Sequence, residues 1–344
     1  MHATCHKYNL KFKRPSGTSR GVLTEKETWF IQIFDEARTG VGECGILRSL
    51  SYDDRPDYEQ KLNWVCENIK LGEEVLWNAL REFPSIQFGV EMAFKSLRAK
   101  DKFLLFPSEF TEGKNGMSIN GLVWMGEKDF MKKQISEKIE AGFNCIKLKI
   151  GAIDFAAEIE LLKQIRSNFS ADEIEIRVDA NGAFKPSEAF QKLEALSKLK
   201  IHSIEQPIKQ GQIEEMRKLC LQTPLPIALD EELIGLTTVT EKRDLIQILQ
   251  PQYAIFKPSL IGGFRGTMEW LEICEKQEVN WWITSALESN VGLNAISQWT
   301  FTLNPELPQG LGTGGLYTNN FESPLEVQHG EIKYNPSKKW DFKL

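Results

Sequence analysis

The chain is poor in the residues that build soft-metal and nucleophilic sites. Of its 344 residues four are histidine (His2, His6, His202, His329) and six are cysteine (Cys5, Cys44, Cys66, Cys145, Cys220, Cys274), with no C-x-x-C pair among them. That excludes the common zinc frameworks and a dense disulfide scaffold, and it suits reduced thiols in a cytoplasmic protein. A basic block is also missing: 42 Lys and Arg stand against 48 Asp and Glu, a formal net charge of -6. Phosphate neutralisation needs a cationic face, so no nucleic-acid partner is expected. No run approaches the roughly 18 apolar residues of a membrane span. The opening MHATCHKYNLKFKRP lacks the apolar stretch of a secretory leader, and the expectation is a cytoplasmic chain with no membrane partner. No G-K-[ST] follows the GTGG at 312–315, so a phosphate-binding loop is excluded.

What is present is ordinary globular material, 41% hydrophobic and 26% charged, in a chain long enough for a barrel of roughly 200 to 250 residues plus a second module. Residues 7–13, 27–35 (ETWFIQIFD) and 39–44 read as a short antiparallel meander, and amphipathic stretches after Asp53 read as helices. Strands followed by helices predict an α+β module over residues 1–105. From Met117 onward short β-rich runs alternate with helical segments: MSINGLV, CIKLKI, EIRVDA, HSIEQPI, PIALDE, YAIFKP, NWWITSA and QGLGTG. Eight such runs predict a modified (β/α)7β barrel of the TIM type over residues 106–320. The segment 321–344 has no βα pattern and is expected to pack back on the first module, which caps the barrel.

Charge inside parallel strands costs desolvation energy unless it is paired or binds something. Lys147 and Lys149 alternate with Ile146, Leu148 and Ile150, so both lysines share one strand face, the face turned into the barrel. Asp179, Glu205, Asp230 and Lys257 each close their own strand, at intervals of about 25 to 30 residues that match one βα unit. All should meet on the C-terminal rim, where barrel enzymes place their chemistry. Three carboxylates form an all-oxygen site suited to Mg²⁺, with Mn²⁺ possible by the same hard-ligand chemistry. A lysine is a base only as a neutral amine, and a neighbouring ammonium together with a cation should depress the pKa of Lys149. His202, at the start of its strand, reads as an ordinary hydrogen-bonded histidine, and of the adjacent Trp281 and Trp282 only one can face the interior, both serving packing.

In order, K-L-K at 147–149, D-A-N-G at 179–182, E-Q-P at 205–207, L-D-E at 229–231 and F-K-P at 256–258 resemble the enolase superfamily, in its muconate-lactonizing-enzyme-like branch. The resemblance implies Asp179, Glu205 and Asp230 as magnesium ligands, Lys149 and Lys257 on opposite faces of a small-molecule carboxylate substrate, Lys147 beside them, and Asn181 and Glu231 supporting the ligands. It also implies abstraction of a proton α to a carboxylate, giving an enediolate. SALESNVGL at 285–293 and QGLGTGGLY at 309–317 are most similar to the o-succinylbenzoate synthase family. That implies a lyase of menaquinone biosynthesis, carrying out a syn dehydration of 2-succinyl-6-hydroxy-2,4-cyclohexadiene-1-carboxylate. Ser285, Ser289, Gly312 and Thr313 become candidate substrate contacts. Dipeptide epimerases of the branch carry an acidic D-x-D where this chain has Gly312, Thr313 and Gly314, which suits a substrate without a cationic amine. N-succinylamino acid racemase, dipeptide epimerase and cycloisomerase chemistry stay open on the same scaffold, as does a barrel that binds metal and ligand without turnover. Pro15 to Arg20 (PSGTSR) has the small, polar make-up of a mobile lid.

Overall fold

The computed structural model describes residues 1–18, 21–36 and 38–344. The chain opens with three long antiparallel strands, β1 (His2–Thr18), β2 (Gly21–Asp35) and β3 (Arg38–Gly45), paired in the order β1-β2-β3. Helices α1 (Tyr58–Glu67), α2 (Gly72–Ala79) and α3 (Pro84–Arg98) follow. Strand β2 is largely exposed over its first five residues and then buries Trp29, Phe30, Ile31 and Ile33, as a strand covered on both faces must. The backbones of α3 and β3 meet almost directly: a Cβ on Gly42 would stand 1.9 Å from the carbonyl oxygen of Gly89.

Seven parallel strands then line up in sequence order: β5 (Gly121–Val123), β6 (Cys145–Lys149), β7 (Glu175–Asp179), β8 (Ser203–Glu205), β9 (Ile227–Leu229), β10 (Tyr253–Phe256) and β11 (Asn280–Ile283). They are joined by α4 (Lys128–Glu140), α5 (Phe155–Asn168), α6 (Pro186–Ser197), α7 (Ile213–Gln222), α8 (Val239–Leu249) and α9 (Gly263–Lys276), and α10 (Asn290–Thr302) follows β11. Helix starts carry their chemistry locally: Asp154 accepts from the N–H groups of Ala156 and Ala157 at α5, and Thr238 with Glu241 forms a capping box at α8.

Two of the expected barrel strands differ from their sequence reading. MSINGLV divides, because Met117 and Ser118 form β4, an edge of a small antiparallel sheet with β12 (Leu325–Gln328) and β13 (Glu331–Tyr334), and only Gly121–Val123 continues into the barrel. QGLGTG contracts to Gln309 and Gly310, which bridge Ile119 on one side and Thr284 on the other and so close the ring. A Cβ on Gly310 would lie 2.1 Å from the Thr284 hydroxyl, so the chain crosses here by close backbone approach, and the ladder ends after two residues. The C-terminal segment divides its contacts. Its strands pair with β4, while Phe321 and Phe342 lie edge-on to Phe30 of β2, and Trp340 stacks on Phe103 at 4.2 Å between centroids.

Among the described residues no helix is long and apolar enough to cross a membrane. Of the supposed lid, Ser19 and Arg20 lie outside the described residues, whereas Pro15–Thr18 belongs to β1, and Gly17 bridges Met125 above the barrel.

The first module and the barrel are joined by buried acids. Glu91 of α3 accepts from the N–H groups of Phe264 (2.6 Å) and Arg265 (3.2 Å) at the start of α9, as a carboxylate suits a helix N-terminus. Burial still pushes its carboxyl up to about 8. Unfolded glutamate titrates near about 4.3, so between there and 8 the folded protein holds a proton that the unfolded chain has released, and stability falls as pH rises. Glu91→Gln should remove this dependence: measured by urea unfolding, wild type minus variant should decline by on the order of 2 kcal/mol from pH 5 to pH 8, and parallel curves would show that the donors keep Glu91 ionised. Gly42→Ala should cost about 1–3 kcal/mol by overpacking; a loss below about 0.5 kcal/mol would mean that α3 can lift off β3.

Candidate active site

Register assembles the charged row. Lys149 of β6 is level with Asp179 of β7, and Asp179 is level with Glu205 of β8. Asp230 and Lys257 each follow directly on β9 and β10, neighbours whose Leu229 and Ala254 are paired. Period two continues below: Cys145, Lys147 and Lys149 face inward on β6, and Glu175, Arg177 and Asp179 on β7, so the interior is layered in polar residues. Arg177 forms the floor. It pairs with Glu175 at 2.6 Å, donates to the Pro308 carbonyl and lies 4.2 Å from the centre of the Trp282 ring. His202 bonds Ser203 and sits beside Tyr253 in this floor, far from the rim. Trp282 is the interior tryptophan and Trp281 packs outside.

On the rim the acids and amines interlock. The Lys149 ammonium donates to Asp179 (2.5 Å) and to the Asn181 side-chain oxygen (2.8 Å). Lys147 pairs with Asp179 at 2.9 Å and also with Glu205, and Lys257 pairs with Asp230 and lies 3.9 Å from Glu205. Asn181 donates to Glu231 at 3.0 Å. Asn181 and Gln206 take left-handed backbone angles, φ 43° and 40°, the local strain that clusters at sites where side chains must be aimed. Gln206 turns its amide oxygen to the N–H groups of Asp230 and Glu232 and holds the two acidic loops together.

The three carboxylates share one crowded, buried rim. Burial and the charges of Asp179 and Asp230 push Glu205 well above the ordinary range. Burial alone would raise Asp179 as well, but the ammonium groups of Lys147 and Lys149 outweigh it and hold Asp179 well below its usual value; Lys257 does the same for Asp230. Conversely, despite burial, Lys147 and Lys257 are held above the usual lysine value by these acids. Among the described residues no three acids, histidines or cysteines stand as a ligand set; lysine ammonium groups pair with the carboxylates. The fit to a dication rests on the donors themselves: three buried carboxylates on successive strands, all hard oxygen, with neither Glu205 oxygen engaged in a well-formed hydrogen bond among the described residues.

Above the row lies a cavity of about 300 Å³ whose wall includes Lys147, Lys149, Asn181 and Lys257. Its far side is apolar, with Leu23 and Leu47 from the first module and Leu122, Trp124, Leu287 and Leu316 from the barrel.

This geometry and the chain as a whole have known counterparts. Residues 1–97 match the family model "MenC, N-terminal domain", and residues 131–337 match "Enolase C-terminal domain-like". The o-succinylbenzoate synthase of Desulfotalea psychrophila is 43% identical, over 96% of this chain and 98% of the relative. The chain belongs to the MenC, or o-succinylbenzoate synthase, family of the enolase superfamily. The crystal structure of MenC from D. psychrophila superimposes with a TM-score of 0.86 at 40% identity, covering 97% of this chain and 99% of that one. An N-succinylamino acid racemase of Thermus thermophilus is 28% identical over 82% of this chain and 77% of its own length.

Ser285, Gly312 and Thr313 line the cavity. Ser289 does not: it is fully buried, caps α10 and gives its hydroxyl to Glu43 at 2.5 Å. Asn120 was missed by the sequence reading. It lies between β4 and β5, and its side-chain oxygen is buried in the cavity wall with no hydrogen-bond partner among the described residues, as is the Thr313 hydroxyl. Only ring closure brings residue 120 beside residue 313, and nothing local in MSINGLV marks it. Two polar groups buried without partners are costly unless a ligand satisfies them. Asn120→Leu and Thr313→Val should each raise KM by about 5- to 30-fold, about 1–2 kcal/mol of lost hydrogen bonding, while melting temperature stays level or rises. A lowered melting temperature with unchanged KM would assign both to structure.

Proposed function

We propose that this chain catalyses the magnesium-dependent syn dehydration of 2-succinyl-6-hydroxy-2,4-cyclohexadiene-1-carboxylate to o-succinylbenzoate, the lyase step of menaquinone biosynthesis. The observation that carries the reading is the pairing of two amines, Lys149 and Lys257, with the buried carboxylates of three successive strands beneath the cavity, in a chain of this family. β6 and β10 are four positions apart in a ring of eight, so Lys149 and Lys257 approach from opposite sides.

Asp179, Glu205 and Asp230 would hold the magnesium ion, which when bound supplies positive charge to favour the enediolate form of the substrate carboxylate. Lys149, oriented by Asp179 and Asn181, takes the α-proton as the neutral amine. The hydroxyl leaves from the same face, so the same nitrogen returns that proton to it as water departs, one lysine acting as base and then as acid. Lys257, whose counter-ion is Asp230, stays charged on the other face and favours the negative charge that develops there. Lys147 lies deeper, spans Asp179 and Glu205 and keeps the acids in place. The leucines and Trp124 take the ring, and Thr313, Asn120 with its amide turned as donor, and Ser285 are the polar groups within reach of the succinyl arm. Gly312, Thr313 and Gly314 leave room and no negative charge there, which suits an anionic arm.

A second reading, proton exchange at the α-carbon of an N-succinylamino acid, draws on the same opposed lysines, one for each face. Purified protein with Mg²⁺ should remove the diene absorbance of the cyclohexadiene acid, chelator should stop the loss, and Lys149→Ala should cut kcat by about 10²- to 10⁴-fold. An inert wild type that racemises N-succinylamino acids rapidly would replace the first reading by the second.

A further inference from the structure

Behind the cavity wall, where the first module meets the barrel, lies a second cluster of buried charge that the reaction above does not use. Glu43 of β3 and Glu288, between β11 and α10, are both fully buried. Each takes its hydrogen bonds from neutral donors. Glu43 accepts from the hydroxyls of Thr28 (3.0 Å) and Ser289 (2.5 Å) and from the N–H groups of Ser289 (2.9 Å) and Gly292 (2.8 Å). Glu288 accepts from the hydroxyls of Ser259 (2.5 Å) and Ser285 (2.6 Å). The counter-charge is Lys26 of β2, 4% exposed, whose amine has no hydrogen-bond partner among the described residues; burial lowers its pKa, and the fields of Glu43 and Glu288 oppose that and favour the ammonium. Lys26 Nζ, the Thr28 hydroxyl and a Glu43 oxygen converge beside Gly45, at 2.5, 3.1 and 3.8 Å from where its Cβ would stand.

An ammonium buried without hydrogen bonds is expensive, and an apolar side chain of that length would avoid the cost. What it supports is the exchange of contacts at Glu288. One oxygen of Glu288 holds Ser259, two residues beyond Lys257, in the tight turn closed by the Leu260 N–H on the Lys257 carbonyl at 2.8 Å. The other holds Ser285 of the cavity wall. Without a cation between them two buried acids repel, and Glu288, displaced from Glu43, would pull on both of its serine contacts. Three residues before Lys26, Leu23 lines the cavity, so this strand reaches both the substrate space and the charge cluster.

We propose that Lys26 is a positioning residue for Lys257: its buried ammonium keeps Glu288 a double acceptor, and through Ser259 fixes the turn that aims the Lys257 amine, so that seating of the first module on the barrel and alignment of that amine are coupled. The proposal rests on the role given to Lys257 above.

The test compares wild type, Lys26→Met, Glu288→Gln, the double variant and Gly45→Ala, which displaces the ammonium without removing it. With the cyclohexadiene acid and Mg²⁺, Lys26→Met and Glu288→Gln should each lower kcat by about 10- to 100-fold, the scale of a misplaced catalytic group, with KM changed by less than about threefold. The double variant should be no worse than the poorer single variant, and Gly45→Ala should fall in the same direction. Amide exchange at Leu260 should be about tenfold or more faster in Lys26→Met than in wild type, a readout that needs no turnover. Unchanged kcat and unchanged Leu260 exchange in Lys26→Met overturn the proposal. So do multiplicative losses in the double variant, or a loss confined to melting temperature. A wild type inert on the diene overturns the assigned reaction instead, and Leu260 exchange then decides the coupling by itself.

Discussion

The structure depends on keeping six ionisable groups out of water at the rim of a barrel. Lys147, Lys149 and Lys257 stand against Asp179, Glu205 and Asp230, and each amine has an acid within ion-pair distance. Isolated, any one of them would cost several kcal/mol to bury. Together they are tolerable, yet poorly satisfied: Glu205 is pressed against two like charges, and two lysines share Asp179. A site stabilised only by its own counter-ions is ready to exchange them for a cation and an anionic substrate, because the incoming charges replace pairings that already exist.

That arrangement dictates much of what surrounds it. The row needs a dry ceiling, which the first module supplies with Leu23 and Leu47. The ceiling in turn needs fixed attachment, and here the chain again uses buried acids that accept from helix starts: Glu91 at α9 and Glu43 at α10. Both are acids from the first module inserted into the N-terminal ends of barrel helices, where backbone N–H groups lack partners within the helix and donate to their oxygens. The apolar part of the junction, Phe30 with Phe321 and Phe342, adds area without direction. The acids set the angle, since hydrogen bonds at 2.6 to 2.9 Å tolerate little displacement.

The reading of the charged row from sequence succeeded for a simple reason. In a parallel strand the period is two and the outer face must be apolar, so a lysine or aspartate amid Ile, Leu and Val can point only inward, and one βα unit between successive charges places them at one height. The sequence reading of the meander, of the helices and of six barrel strands rests on equally local rules. Where it failed, closure was involved. MSINGLV carries the pattern of one strand, but its first two residues are claimed by β13 from some two hundred positions away, and QGLGTG spends its glycines on close approach to Thr284 rather than on a ladder. Ser289, a hydroxyl at a strand end that could cap a helix or meet a substrate, caps α10 and gives its hydroxyl to Glu43 of the other module.

By itself, then, the sequence determined the identity and level of the charges, the barrel that carries them and the family to which they belong, because strand periodicity and repeat length are properties of neighbouring residues. Only the tertiary structure decided which hydroxyls remain for a substrate, that Asn120 stands with Thr313, and that Lys26 is sealed among Glu43 and Glu288. Those facts arise where distant segments meet, and the free energy that sets them, the cost of an unpaired polar group away from water, belongs to no segment alone.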